Sequence, residues 1–353
     1  MFQGLDYVPL LHARLAEVRA LEALSSETKR RIFPIIRMRP WFNAIRFDRA
    51  IEVVEGAVGD GFYGFDLDDT KCDNSSERPA VKEFSKLFSP ALGYDQYYEK
   101  VASGQYRVPV FRGASSQNPQ AALQIKHAFE IGRGLIVRIK VSSPGAYLAI
   151  AQECLNAGLY NTAFIFDAGW RQDVLQQASI TSQLVNRLLD INEDFEISVA
   201  ASTFPDQFSN LGIHFTREIN ERKFFDQVRG LVNRGNLKYG DWGSTREPSK
   251  QGFARNRPRI DIADSQRWIF WRSNGSESYQ ELCGRVTSDP EWDGNLDAWG
   301  KFLIEATAQG QPGSIKSPVM AAAARVNLHL IAQAHRNDPE GFKAPDTPVG
   351  ANF

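Results

Sequence analysis

Eight short runs of apolar, often β-branched residues recur from the N-terminus, each followed by an amphipathic stretch or a longer insertion. They are Tyr7–Leu11, Ile32–Met38, Phe62–Asp69, Arg107–Gly113, Gly134–Ser142, Thr162–Gly169, Glu196–Thr203 and Leu237–Gly243. Nearly continuous apolar character is typical of parallel strands covered on both faces. Strand–helix alternation of this kind predicts an α/β fold with a parallel sheet. Eight units favour a (β/α)8 TIM-type barrel, which typically takes about 250 residues. An open doubly wound sheet is the alternative. It usually carries GxGxxG after its first strand, whereas this first strand runs into LLHAR.

The chain has 353 residues, enough for that barrel and an extension. One barrel domain over residues 1–353 is expected, with insertions at about 70–105 and 244–275, C-terminal helices over 276–337, and a frayed tail at 344–353. In the second insertion, Arg257–Asp264 and Arg267–Ser273 predict a β-hairpin. Ser276 or Ser278 is placed to cap a following helix, and Glu281 stands three positions after Ser278.

Composition narrows function chiefly by exclusion. With 41 Lys+Arg against 42 Asp+Glu, the net charge is -1. No global field exists to grip nucleic acid or an anionic membrane, so either would need a local patch. No apolar run is long enough to span a bilayer, and no membrane partner is expected. The N-terminus lacks the pattern of a secretion signal. Cys72, Cys154 and Cys283 form no CxxC, which points to a cytoplasmic protein without a disulfide framework.

The active face of a barrel is the C-terminal end of its strands. Alternation places His12 behind Val8 and Leu10, Arg37 behind Phe33 and Ile35, and Arg112 behind Val108 and Val110. The same rule pairs Asp66 with Asp68 and Arg138 with Lys140. It puts Asp167 behind Ile165 and Asp241 behind Tyr239. Two explanations stand side by side: a structural layer of ion pairs, or a ligand site.

As a site, Asp66, Asp68, Asp167 and Asp241 would be the catalytic acids. Asp66, Asp68 and Asp241 would hold a hard cation, with Mg²⁺ the candidate cofactor. Arg37, Arg112, Arg138 and Lys140 would bind phosphate or carboxylate. A nucleotide or nucleic-acid end is the ligand class this suggests, and metal-assisted phosphoester hydrolysis the reaction. Lys140 is also a weaker candidate for a Schiff base. Of five histidines, only His12 sits at a strand end, which disfavours a two-histidine phosphodiesterase. HExxH, GxSxG and Walker-type motifs are absent.

Trp41, Trp170, Trp242, Trp268 and Trp271 lie close after, or just beyond, strand ends. Alternation puts Trp268, Phe270 and Arg272 on one hairpin face, and Ile269 and Trp271 on the other. Trp268 and Trp271 would stack a base or meet a partner protein; packing over the barrel is the simpler reading.

The opening YVPLLHARLAEVRALEALSSETKRRIFPII carries Tyr7, Pro9, Glu17, Ala20, Leu21, Leu24, Lys29 and Pro34. YGDWG at Tyr239–Gly243 follows later, then RWIFWRSNG and SYQELC. Together these resemble the phage beta-protein family. The resemblance implies a setting, phage or prophage genomes and antiviral defence, rather than a reaction. It adds His12, Arg14, Asp241 and Arg272 as site candidates. Arg37 and Arg39 depart from the acidic residue that family members carry in the second strand, which argues against a metal role there. A non-catalytic partner-binding subunit of a phage-conflict system is the competing reading. A sugar- or aldol-type barrel enzyme rests on fold analogy alone.

Overall fold

In the computed structural model, which describes residues 1–73, 75–113, 120–206, 208, 211–245, 257–264, 266–292 and 297–338, all eight runs are strands. They are β1 (Tyr7–His12), β2 (Ile35–Met38), β3 (Tyr63–Leu67), β4 (Arg107–Pro109), β5 (Leu135–Lys140), β6 (Thr162–Trp170) and β7 (Glu196–Ser202), with the eighth described below. β8 (His214–Glu218) lies outside this set, and β9 (Leu237–Asp241) completes it. The chain divides into two compact units.

The first unit comprises Met1–Ala13, Phe33–Thr203 and Asn220–Trp242. Its strands pair in the order β4-β3-β2-β1-β9-β7-β6-β5, and every pairing is parallel. The sheet nearly closes into a (β/α)8 barrel. Among the described residues a single bridge, Val110 to Ile136, joins its ends, and the Phe111 N–H donates to the Ile136 carbonyl at 2.8 Å.

The interior is filled by Val8, Leu10, Ile35, Val108, Val110, Ile136, Ala163, Ile165 and Ala200. Burying one such aliphatic side chain stabilises by roughly 1.5–3 kcal/mol. Two glycines mark where strands crowd inward. A Cβ at Gly64 would lie 2.6 Å from Ile35, and one at Gly240 would lie 2.8 Å from both Ser198 Oγ and the Val8 carbonyl. The opposite strand faces are equally apolar. There Phe166 packs on Tyr147 and Phe164 on Phe195.

The second unit comprises Arg14–Ile32, Phe204–Ile219 and the chain from Gly243 onward. It gathers the segments that read as second insertion and C-terminal extension. The expected hairpin is present as β10 (Arg259–Ala263) and β11 (Arg267–Arg272), paired antiparallel. β8 adds to β11 as a third strand, which the sequence does not announce. Its HFTRE is polar, and its exposure alternates as on an open edge. Trp268 and Phe270 pack with Phe204, Phe208 and Ile219 into a local core.

Ser278 caps the helix Tyr279–Thr287 through a full capping box with Glu281. The helices Trp299–Ala308 and Pro318–Ala334 follow. Asp261 receives Arg259 at 2.8 Å and Arg325 at 2.7 Å, so this buried carboxylate is paired. The amphipathic stretch after the first strand forms two helices, Leu15–Glu22 and Ser26–Arg30. Ser25 starts the second of them by accepting from the Thr28 N–H as an N-cap. Residues 246–256 of the second insertion and the tail at 344–353 lie outside the described residues. No helix among the described residues is long and apolar enough to cross a membrane.

Candidate functional site: the barrel mouth

At the C-terminal strand ends, inward alternation brings charged residues together above the apolar interior. Arg37 follows Ile35, and Asp66 follows the inward Gly64. Asp66 is the hub. Its Oδ1 accepts from Arg112 Nη1 at 2.7 Å and from the Leu67 N–H at 2.8 Å. Its Oδ2 lies 3.2 Å from Arg138 Nη2 and 3.6 Å from Arg37 Nε. Arg138 reaches on to Asp167 Oδ2 at 3.1 Å. Arg37 also pairs with Asp69, and lies 3.6 Å from Asp68, whose other oxygen is 3.8 Å from Arg39.

Local structure holds these groups. Gln124, on the helix Ala121–Ile131, clasps the Arg112 backbone at both its N–H and its carbonyl. The Arg112 guanidinium lies 5.2 Å from the Phe88 ring centroid and 5.7 Å from that of Tyr97. Asp68 accepts from the Thr70 N–H and hydroxyl, which starts a short 3-10 turn. An irregularity in β6 between Asp167 and Trp170 lets Asp167 Oδ1 accept from the Gly169 N–H at 2.9 Å. Bulges of this kind re-aim side chains at barrel rims.

The electrostatics follow from this geometry. Burial pushes the Asp66 carboxyl up, but Arg138, Arg112 and Arg37 together hold it below the usual carboxylate range. Asp69 is likewise held low against burial, chiefly by Arg37. Burial works against the charge on Arg138, and Asp66 and Asp167 outweigh it. Lys140 ends β5 exposed, close enough to Asp69 to act on it.

An aromatic tier adjoins the charges. Trp242 faces inward with its Nε1–H donating to Asp167 Oδ1 at 3.0 Å. Its ring stands 5.4 Å from His12 and 4.1 Å from the half-buried Trp170. The guanidinium carbons of Arg37 and Arg138 each lie 5.9 Å from its centroid. That is within cation–π range.

The structure corrects the placement of Asp241. It shares a strand face with Tyr239, as alternation requires, but that face points away from the barrel interior. The inward residues of β9 are Gly240 and, beyond it, Trp242. Asp241 therefore does not join Asp66 and Asp68 around one ion. It accepts from the hydroxyls of Tyr7 and, at 2.7 Å, Tyr239. Glu221, at the start of the helix Asn220–Val232, lies close by with Thr203 on its Oε2 at 2.5 Å. Burial first, and then the Asp241 charge, pushes the Glu221 carboxyl up to about 8. Arg222 covers the Tyr239 ring at 3.4 Å. Neither Glu221 nor Arg222 stands out in the sequence, where both read as the polar start of a helix.

The hairpin tryptophans are also placed differently from an exposed contact surface. Trp268 and Trp271 are fully buried. Trp268 packs edge-on to Phe204, and Trp271 stacks on His214 and donates to Asp289 Oδ2 at 3.0 Å. Arg272 donates to the carbonyls of Phe208 and, at 2.8 Å, Leu211. It is a backbone clamp of the second unit. Arg14, also in that unit, lies 3.7 Å from Glu17. His12, Arg37, Asp66, Asp68, Arg112, Arg138 and Asp167 occupy the mouth positions that alternation assigns them.

Comparison with known proteins places the chain. A family model described as Beta protein matches residues 7–335. The curated relative "Protein beta" of Enterobacteria phage P4 is 27% identical over 348 residues, 94% of each chain. The matched span begins at the first barrel strand and runs past the last long helix. The chain belongs to the Beta protein family.

Proposed function

We propose that the barrel mouth binds a phosphate-bearing ligand, a nucleotide or a nucleic-acid end, in a phage or phage-conflict setting. The observation that carries this reading is the aromatic tier set against a basic one. Trp242 stacks with His12 and packs, tilted, on Trp170, while Arg37 and Arg138 lie against its ring. Bases stack on aromatic rings whatever their sequence, and guanidiniums receive phosphate oxygens bidentately. Arg39 and the exposed Lys140 extend the basic side towards solvent. The mouth carboxylates orient the arginines in this reading. Each already faces a guanidinium, so we assign no metal and no hydrolytic step to them.

The test is calorimetry of the full chain against inorganic phosphate, nucleoside mono-, di- and triphosphates, and a 5′-phosphorylated single-stranded oligonucleotide. At least one should bind, and both Trp170→Ala and Lys140→Ala should weaken it. Silence from the whole panel would sink the reading.

A second reading makes the chain a non-catalytic interaction subunit of a phage-conflict system. The engagement of Asp66 by three guanidiniums supports it, because such a layer can serve structure alone. Burial of Trp268 and Trp271 means that its contact surface would lie elsewhere.

A further inference from the structure

Apart from the barrel mouth, the second unit brings three ligand-type side chains together. His214 opens β8, and Asp289 and Glu291 follow the helix Tyr279–Thr287. One ligand atom from each lies within 4.8 Å of the others, and His214 Nε2 is 3.2 Å from Glu291 Oε2. An ion bonded at about 2.0–2.2 Å to nitrogen and oxygen needs its ligands roughly 3–3.5 Å apart, a short side-chain movement from this arrangement.

Neighbouring groups hold each ligand in orientation. The His214 ring stacks on Trp271 at 5.1 Å with an 11° interplanar angle. Trp271 Nε1–H donates to Asp289 Oδ2, and the Glu291 N–H donates to Asp289 Oδ1 at 2.9 Å. Arg267 Nη1 takes Glu291 Oε1 at 2.9 Å, leaving Oε2 towards His214. Outer contacts of this sort fix the rotamers of metal ligands.

The charge balance points the same way. Asp289 is half-buried, and among the described residues its hydrogen-bond donors are the neutral Trp271 indole and Glu291 amide. Arg267 is shared between Glu291 and Asp264. Each Asp289 oxygen spends one acceptor site on a neutral donor, which leaves lone pairs on both for a further partner.

We propose that His214, Asp289 and Glu291 form a site for a divalent first-row metal ion such as Zn²⁺ or Mn²⁺. One imidazole with two carboxylates suits that class better than Mg²⁺ or Ca²⁺, which favour all-oxygen shells. Three protein ligands leave at least one coordination position for water or an anionic group. The ion would tie the edge strand β8 to the segment after the helix Tyr279–Thr287.

The chelator-treated full chain should be titrated with Zn²⁺ and with Mn²⁺. We expect one tightly bound ion per chain, a raised Tm in its presence, and at least tenfold weaker binding in His214→Gln and in Asp289→Asn. His127→Gln should leave binding unchanged. It alters another half-exposed histidine beside a carboxylate, Glu130 at 3.9 Å. His214 is 38% exposed, so His214→Gln decides the matter even if Asp289→Asn does not fold. Absence of stoichiometric binding, or binding indifferent to His214→Gln, overturns the proposal.

Discussion

Arg138 on β5 bonds Asp167 on β6 and Asp66 on β3, at 3.1 and 3.2 Å. One guanidinium thus connects a neighbouring strand with one beyond the β4–β5 joint. Both carboxylates are almost wholly buried. Removing one partner of such a group leaves the others desolvated and unbalanced, which typically costs about 3–5 kcal/mol. Arg138→Gln and Asp66→Asn should each destabilise by that order in urea denaturation. A change below about 1 kcal/mol, the range of surface pairs, would mean that the cluster is solvated.

Glu221 gives a pH signature. Its carboxyl is raised from an ordinary 4.5 to about 8 in the folded chain. Between those values the folded state holds a proton that the unfolded state has lost. The associated stability is full below about pH 4.5 and falls as pH rises towards 8. The slope is at most ~1.4 kcal/mol per pH unit for one proton. Glu221→Gln should flatten that decline, so the variant gains on the wild type with rising pH. Parallel pH profiles of Tm for the two proteins would refute it. Asp66 acts oppositely: its carboxyl is lowered from 3.8, so its contribution is lost only in more acidic solution.

The ligand reading makes Trp170 the most informative single change. It is only half-buried, so its loss should spare the fold, whereas stacking on one aromatic is worth about 1–3 kcal/mol. Trp170→Ala should weaken the bound nucleotide or oligonucleotide by about 5- to 150-fold, with Tm little changed. Binding that survives the change intact puts the ligand elsewhere.

Trp268 offers the converse test. Fully buried against Phe204, it should behave as a core residue. Trp268→Ala is expected to cost about 3–5 kcal/mol of stability. A variant of wild-type stability that loses a partner protein would restore the contact role suggested by its sequence position.

The barrel was legible because covered parallel strands need unbroken apolar runs, and eight such runs stand between polar stretches. That same property hid the facing of Asp241. When both faces of a strand are apolar, the residues before a charge do not say which side is inward. The Gly240–Trp242 alternation held the answer, since a bare glycine suits crowded strands and the tryptophan fills the mouth. β8 was illegible because an open edge strand needs no apolar signal. The clustering of Arg37, Arg112 and Arg138 on Asp66 depends on which strands become neighbours when the sheet curls, information no local window contains.

The single bridge between Val110 and Ile136 gives the ring a clasp rather than a weld. Its neighbour β4 is only three residues long, so backbone pairing holds this joint less firmly than any other around the circle. Arg112 and Arg138 approach Asp66 from either side of it. A guest anion that drew either arginine away would slacken the clasp as it entered. On the proposed anion-binding reading, occupancy of the mouth and closure of the ring would be coupled through these two side chains.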